Sequence, residues 1–304
     1  MNLRETREAL SENVVTVTTT IWQAASRPDV DACAENAAYL FDHGVDAVVL
    51  AGGVGEHDRL TVQQQTALLE GVAPVARQRE GAICLGTGLG RTVARVRQLA
   101  PVLGRMGVDF AMLMPPPIDD PEEQFAYYDQ VICLLRDQGV WSMPYIRPEH
   151  PLGVDVLYRL FERHDIPGVK LGNSDHLPAY ARLVHRLGHE RSAWLCGVAG
   201  WWMPAYYTLG VARGMSSGIA NAFPERPRDL LARILSERFC RDETYWVFVR
   251  IEELRRHVSG YGSLVVKYMQ ELVGIHGGMD GDGSEMPQVM RDRVRQTLDE
   301  IGWL

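Results

Sequence analysis

The chain has 304 residues, of which 46% are hydrophobic and 23% charged, and its formal net charge is −8. These values are typical of a globular protein with a full core, and the negative charge without a basic run argues against nucleic acid as the main partner. No apolar stretch is as long as a membrane span, and the charged start at residues 1–12 lacks a signal-peptide apolar region, so we expect a cytoplasmic protein with no membrane partner.

Along the chain, short apolar or β-rich runs alternate with stretches of helical periodicity. The predicted strands are Val14–Thr19, Ala47–Leu50, Ala82–Leu85, Phe110–Leu113, Trp141–Tyr145, Gly168–Leu171, Ala193–Cys196 and Gly214–Ser217. The predicted helices between them include Val30–His43, Thr61–Gln78, Arg91–Met106, Pro121–Gln138 and Pro178–Leu187. Eight such units within the first ~220 residues favour an α/β fold of the TIM (β/α)8 barrel type over a doubly wound sheet.

The last part of the chain has only helical patterns. The predicted helices there are Arg228–Phe239, Glu243–His257, Ser263–Val273 and Met286–Ile301. We therefore predict a barrel domain of residues 1–223 and a C-terminal helical region of residues 224–304. The stretch Gly277–Ser284 is rich in Gly and Asp but lacks the spaced ligands of a calcium loop, so we interpret it as a solvated linker.

In a barrel of this kind, the chemistry takes place where strands end and the following loops begin. The loop after the second strand contains Gly52, Gly53 and Val54, whose successive backbone N–H groups can form a nest for a substrate carboxylate. A tight turn is the alternative interpretation. A second glycine cluster, Gly86–Gly90, follows the third predicted strand, and neither cluster has the G-x-G-x-x-G pattern of dinucleotide binding.

The fifth strand ends in Tyr145, and Arg147 follows two residues later. Tyr145 precedes Lys170 by 25 residues, or one βα unit, so both side chains are expected at the same barrel mouth. A phenol beside an amine can move protons, and Arg147 can hold a carboxylate in a bidentate pair. The alternatives are barrel packing for Tyr145 and a surface ion pair for Arg147.

Lysine is rare in this chain: of the 31 basic residues, only Lys170 and Lys267 are lysines, and the others are arginines. Lys170 lies in the run Ile166–Gly172, which has no other charge. A desolvated amine can lose its proton and attack a carbonyl, whereas a guanidinium stays protonated. Lys170 is therefore a candidate for Schiff-base chemistry. The alternative is that its amine reaches water past a buried stem.

Polar side chains also follow other strands. Ser216 and Ser217 come at the end of the last strand and are candidates for hydrogen bonds to substrate hydroxyls, although a serine-rich turn explains them as well. His57 and His150 follow the second and fifth strands and either assist proton transfer or are solvated loop residues.

Cysteine and histidine spacing indicates no metal. The five cysteines include no C-x-x-C pair, and no histidine or cysteine pair has the spacing of metal ligands. We interpret the cysteines as reduced residues of a cytoplasmic protein, and we expect neither a metal nor an organic cofactor.

Taken in order, these motifs resemble the dihydrodipicolinate synthase / N-acetylneuraminate lyase family of Schiff-base barrels. The resemblance depends on the Gly52–Glu56 loop, the tyrosine of the fifth strand, the G-x-K lysine of the sixth, the Gly214–Asn221 segment and the tail Gly260–Lys267. It implies Lys170 as the imine-forming residue, Tyr145 as proton relay and the Gly52–Val54 loop as the site of the 2-oxo acid carboxylate. It also implies a homo-oligomer, either a tetramer or a dimer.

Differences between this chain and the family pattern narrow the range of reactions that we expect. The synthases have two threonines where Gly53 and Val54 stand, and a tyrosine pair where this chain has Met114–Pro117. These differences argue against synthesis of dihydrodipicolinate. The chain is more similar to the 5-dehydro-4-deoxyglucarate dehydratases, which share the G-G-x-G-E loop, the proline run, Tyr-x-Arg and the serine pair. Ile146 and Leu171 replace an asparagine and an acidic residue of that subgroup.

The predicted function is a class I Schiff-base lyase that acts on a 2-oxo acid. An imine between Lys170 and C2 makes a C3 proton acidic, or makes the C3–C4 bond cleavable, so either dehydration or retro-aldol cleavage follows. One alternative is a family member with altered catalysis that serves as a 2-oxo acid-binding or scaffolding protein. A cofactor-dependent oxidoreductase is the other alternative, but the chain has no phosphate-binding motif.

Overall fold

The structure, a computed structural model, describes residues 1–79, 83–172, 175–198, 200–236, 243–257 and 262–304. Eight parallel strands form a closed barrel in which each strand pairs with its neighbours in chain order and the first also pairs with the last. The strands are Val14–Val17, Ala47–Leu50, Cys84–Gly90, Phe110–Met114, Trp141–Ile146, Gly168–Leu171, Ala193–Cys196 and Gly214–Ser216. The predicted TIM barrel is confirmed.

Helices surround the barrel and continue after it. They are α1 (Leu3–Leu10), α2 (Val30–Asp42), α3 (Val62–Arg77), α4 (Val93–Arg105), α5 (Pro121–Arg136), α6 (Val154–Arg163), α7 (Leu177–Leu187), α8 (Met203–Thr208), α9 (Glu225–Leu235), α10 (Glu243–His257), α11 (Gly262–Leu272) and α12 (Gln288–Glu300). A short hairpin of Trp22–Ala24 and Arg27–Pro28 was not predicted. No described helix is long and apolar enough to cross a membrane.

Local signals explain where many of these helices begin and end. The side chains of Asp29, Thr61 and Asp120 accept hydrogen bonds from the free N–H groups of the first turns of α2, α3 and α5. Gly44 and Gly139 follow α2 and α5 with positive φ, a conformation that glycine adopts without steric cost. Each of these glycines turns the chain directly into a buried strand.

Side-chain alternation along the strands separates two apolar clusters. The larger lies between strands and helices, and the smaller lies within the barrel and includes Val15, Val17 and Met143. Leu10 of α1 belongs to the smaller cluster, and a Cβ on Gly168, at the start of the sixth strand, would lie 2.8 Å from it. Helix α1 therefore closes the amino end of the barrel and leaves the carboxyl end open.

The third strand differs from its prediction. It begins at Cys84 and runs to Gly90, so the glycine cluster is part of the strand and not a turn after it. A Cβ on Gly86 would lie 2.3 Å from the ring of Phe110, and one on Gly88 would lie 2.0 Å from the carbonyl oxygen of Ala51. Glycine is needed there because side chain and backbone of neighbouring strands approach closely, which local sequence does not reveal.

Two predictions for the C-terminal part also need correction. The helix predicted at Arg228–Phe239 is α9, which begins at Glu225, and residues 237–239 lie outside the described residues. The stretch Gly277–Ser284 is not simply a solvated linker, because Asp280 and Gly281 within it are buried. The division into a barrel of residues 1–223 and a helical region of residues 224–304 stays a prediction.

Candidate active site

A cavity of about 250 Å³ opens at the carboxyl end of the barrel. It is lined by Val17, Gly53, Val54, Tyr145, Arg147, Lys170, Gly197, Ser216 and Gly218. These residues lie at or just after the ends of the first, second, fifth, sixth, seventh and eighth strands. Most of the candidates selected from sequence therefore meet in one cavity, and none of its described lining residues is acidic.

Lys170 and Tyr145 lie side by side in this cavity. They are register partners on adjacent parallel strands, and the Lys170 Nζ lies 4.3 Å from the centroid of the Tyr145 ring. Lys170 is 6% exposed, so most of its side chain is removed from bulk water. The reactive amine and the alternative of an amine that reaches water past a buried stem both stay predictions.

Two glycines that the sequence analysis did not select make room for the pair. A Cβ on Gly197 would lie 2.9 Å from the Lys170 Cγ, and one on Gly172 would lie 2.7 Å from the Tyr145 ring. Both glycines follow directly after a strand, and their N–H groups donate to carbonyl groups of the preceding strand. Their role is steric, and it can be recognised only from the side chains that lie next to them in the folded structure.

The glycine loop after the second strand contributes Gly53 and Val54 to the cavity, but not Gly52. A Cβ on Gly52 would lie 2.4 Å from the Val17 side chain, so this glycine packs against the first strand. A Cβ on Gly53 would meet nothing within 4 Å, which leaves its backbone accessible to a ligand.

Arg147 lines the cavity and is also part of an ion pair, and its role in binding a substrate carboxylate stays a prediction. Its Nε and Nη2 donate to the two carboxylate oxygens of Glu149 at 3.0 and 2.7 Å, and its Cζ lies 5.7 Å from the Tyr145 ring centroid. This side-on pair leaves donors at the end of the guanidinium for a second carboxylate.

The two serines of the last strand separate. Ser216 lines the cavity, whereas Ser217 is buried and is not among the lining residues; its backbone N–H donates to the Val15 carbonyl oxygen at 3.3 Å. Gly218 lines the cavity in its place. Successive residues along a strand point to opposite faces, so only one of two adjacent serines is expected to face the cavity.

His57 is buried and does not line the cavity. Burial lowers the pKa of His57 to about 4, with Asp58 opposing and Arg91, Arg95 and Arg147 adding to the shift. Its Nε2 lies 3.0 Å from an Asp58 carboxylate oxygen. The imidazole is therefore neutral at pH 7 and packs beside the cavity mouth.

Lys267, the second lysine, has a different environment. Its Nζ donates to Glu56 at 2.5 Å, to the Met279 carbonyl oxygen at 2.7 Å and to Asp280 at 2.8 Å, and the side chain is completely buried. The ammonium thus joins α11 and the 277–284 stretch to the end of the glycine loop. The rarity of lysine was enough to single out Lys267, since it is one of only two lysines in the chain. Its partner Glu56 was not predictable, because the two residues are 211 positions apart in the sequence.

One cluster of potential metal ligands lies outside the cavity, on α5 and at the end of α6. Ligand atoms of Asp129, Cys133 and His164 lie within 4.8 Å of one another. The Asp129 Oδ1 already contacts His164 Nε2 and the Arg163 guanidinium, each at 2.7 Å. We interpret this group as an ion pair between two helices.

The profile of the dihydrodipicolinate synthetase family matches residues 10–239, which cover the barrel and the cavity. The chain belongs to that family. The resemblance predicted from sequence is confirmed.

Proteins similar to this chain in sequence include a probable 5-dehydro-4-deoxyglucarate dehydratase of Bacillus licheniformis. It is 26% identical over 250 residues, which cover 81% of this chain and 79% of the relative. The 5-dehydro-4-deoxyglucarate dehydratase of Pseudomonas putida is 26% identical over 287 residues, or 91% of each chain. The family and these names support the predicted lyase class.

Solved structures of other proteins share the fold. Dihydrodipicolinate synthase from Oceanobacillus iheyensis superposes with a TM-score of 0.87 at 21% identity over 100% of both chains. A catalytic lysine mutant of the sialic acid aldolase of Ruminococcus gnavus superposes with a TM-score of 0.85 at 15% identity over 97% of both chains. At these identities, the likeness establishes the fold alone.

Proposed function

We propose that the protein is a Schiff-base-forming lyase that dehydrates a 2-oxo acid with a hydroxyl group at C4, of the keto-deoxy sugar acid type. The observation that carries the proposal is the buried Lys170 amine, which lies against Tyr145 in a cavity that also contains Arg147 and the glycine loop. A nucleophile, a proton carrier and two candidate anion sites thereby converge on one small volume.

The first step is attack of the neutral Lys170 amine on the C2 carbonyl, followed by loss of water to give the imine. Burial disfavours the charged ammonium and so supports attack. The Tyr145 hydroxyl moves protons between the amine and the departing water. Its ring face, 4.3 Å from the nitrogen, also stabilises the positive charge of the protonated imine.

The second step uses the imine as an electron acceptor. Loss of a C3 proton gives an enamine, whose electron pair expels the C4 hydroxyl as water. Rehydration of the imine carbon then releases the product and the amine of Lys170. Breaking C3–C4 would instead be a retro-aldol reaction, and we favour dehydration because the two relatives described above, which match 81% and 91% of this chain, are named as dehydratases. The proposed steps require no oxidant, metal or organic cofactor.

Substrate contacts follow from the cavity lining. We assign the C1 carboxylate to the backbone of Gly53 and Val54, with Gly52 supporting the loop from behind. The end of the Arg147 guanidinium is placed to recognise a second carboxylate, and the Ser216 hydroxyl a substrate hydroxyl. In this assignment the Ser217 side chain makes no contact with the substrate, and only the Ser217 backbone is part of the site.

A substrate panel tests this function. The protein is incubated with 5-dehydro-4-deoxyglucarate and with keto-deoxy monoacids, and NMR measures water loss against release of pyruvate. We expect dehydration by the natural protein, none by Lys170→Met, and a rate lower by about 10²–10⁴-fold for Tyr145→Phe, which keeps the ring but removes the hydroxyl. Imine formation without turnover of any sugar acid would instead favour a 2-oxo acid-binding protein, consistent with the open space at Gly53 where the synthases have a threonine.

A further inference from the structure

The carboxyl end of the glycine loop is held by contacts that lie outside the cavity. This end is Glu56, which is 8% exposed and adopts a left-handed conformation with φ of 54°. The Glu56 N–H donates to the Gly53 carbonyl oxygen at 3.1 Å. The preceding Gly55 is held as well, because its carbonyl oxygen accepts from the Thr20 hydroxyl at 2.7 Å. The position of the Glu56 side chain therefore affects where the peptide of Gly53 lies.

Glu56 is fixed by donors from the C-terminal part of the chain. Its Oε1 accepts from Lys267 Nζ at 2.5 Å and from Trp22 Nε1 at 2.9 Å, and its Oε2 accepts from the Gly281 N–H at 2.8 Å. Lys267 and Gly281 both come from the segment that follows the barrel. A buried carboxylate with donors on both oxygens has one position in which all of them are satisfied.

Lys267 has no donor left for other partners. An ammonium has three hydrogens, and here they point to Glu56, to the Met279 carbonyl oxygen and to Asp280. The side chain is 0% exposed and does not line the cavity. It therefore acts on the cavity only through Glu56.

We propose that Lys267 is a positioning residue, which holds the glycine loop through Glu56 in the place where it binds the substrate carboxylate. This inference rests on the proposed function, in which the backbone of Gly53 and Val54 receives that carboxylate. Displacement of a binding group by about 1 Å weakens a productive complex severely. The C-terminal segment would then be part of the construction of the site, although it contributes no lining residue.

Two neighbouring carboxylates provide a matched pair of variants. Glu56 and Asp280 both accept from Lys267, but only Glu56 belongs to the loop. Glu56→Gln cannot satisfy the site, because either orientation of the amide directs an NH2 group at an N–H donor. Asp280→Asn removes charge from the same lysine and leaves the loop contacts unchanged. Glu56→Asp keeps the charge but shortens the side chain by one methylene, and it serves if Glu56→Gln does not fold.

The experiment measures imine formation with pyruvate by borohydride reduction, as a function of pyruvate concentration. We expect both Glu56 variants to raise the half-saturating pyruvate concentration about tenfold, which corresponds to about 1.4 kcal/mol, with a smaller change in the rate at saturation. Asp280→Asn should lower the thermal midpoint as Glu56→Gln does, yet keep half-saturation within about twofold of the natural protein.

Two results would overturn the positioning role: half-saturation unchanged in the folded Glu56 variants, or an equal shift in Asp280→Asn. Absence of any adduct in the natural protein is a different result. It refutes the proposed function itself, and the positioning role falls with it.

Discussion

The two lysines of this chain should differ in how much each contributes to stability. Lys267→Met removes the ammonium that neutralises the buried carboxylates of Glu56 and Asp280, while methionine keeps most of the side-chain volume. Breaking a buried ion pair by removing one partner costs about 3–5 kcal/mol, because a buried charge remains unpaired. Typical unfolding free energies are about 5–15 kcal/mol, so this loss is a large fraction of the total.

The matched variant is Lys170→Met. Lys170 is also buried, but it lines the cavity at the open end of the barrel and belongs to the proposed reaction site. Groups that serve function at such a site are commonly costly to stability, so we expect a change in unfolding free energy of less than about 1 kcal/mol, or a small gain, together with loss of activity.

Thermal unfolding followed by circular dichroism provides the assay. At about 2 °C per kcal/mol for a chain of this size, Lys267→Met should lower the midpoint by about 6–10 °C and Lys170→Met by less than about 2 °C. The reasoning is refuted if Lys267→Met unfolds within 2 °C of the natural protein, or if the two variants lose equal stability.

Three further predictions address individual residues. Gly197→Ala places a methyl group 2.9 Å from the Lys170 Cγ and should slow imine trapping about 100-fold. The control is Gly262→Ala, where a Cβ meets nothing within 4 Å, and it should leave the rate of trapping unchanged. Equal rates for the two variants would contradict the steric role of Gly197. Arg147→Met should raise the half-saturating concentration of 2-oxoadipate by about 10–100-fold and leave that of pyruvate unchanged, and a shift for both would argue against a second carboxylate site. Burial lowers the pKa of His57 in the folded protein to about 4, whereas the unfolded chain binds this proton as pH falls below about 6.5. The free energy of unfolding should therefore decrease between about pH 6.5 and 4, by at most about 3 kcal/mol. Urea midpoints at pH 7.5 and 4.5 should differ less in His57→Asn than in the natural protein, and an identical difference would show that another group dominates.

The barrel was predictable because its signal is local and repeated. Most buried parallel strands are short apolar runs, and several helices that precede a strand end at a turn glycine such as Gly44 or Gly139. The same regularity placed Tyr145 and Lys170 at one mouth, since parallel strands all end on the same side. A spacing of one βα unit was sufficient to predict their proximity.

What the sequence did not reveal depends on tertiary neighbours. Gly197 and Gly172 are required by the volumes of Lys170 and Tyr145, and no local pattern distinguishes them from ordinary turn glycines. The prediction of a solvated linker was wrong for Asp280 because its carboxylate is neutralised by a lysine 13 residues earlier. Composition alone describes such a stretch as polar, and only the fold supplies the partner.

The central claim, that Lys170 forms an imine with a 2-oxo acid, has one direct measurement. The protein is incubated with pyruvate, reduced with borohydride and digested, and mass spectrometry locates the added three-carbon acid. In the given sequence the other primary amines are those of Lys267, which is completely buried, and of Met1, which pairs with Asp109 at 2.7 Å. The account predicts a single adduct on the peptide that contains Lys170, absent from Lys170→Met. No adduct with pyruvate or any other 2-oxo acid, or an adduct on either of the other amines alone, would contradict it.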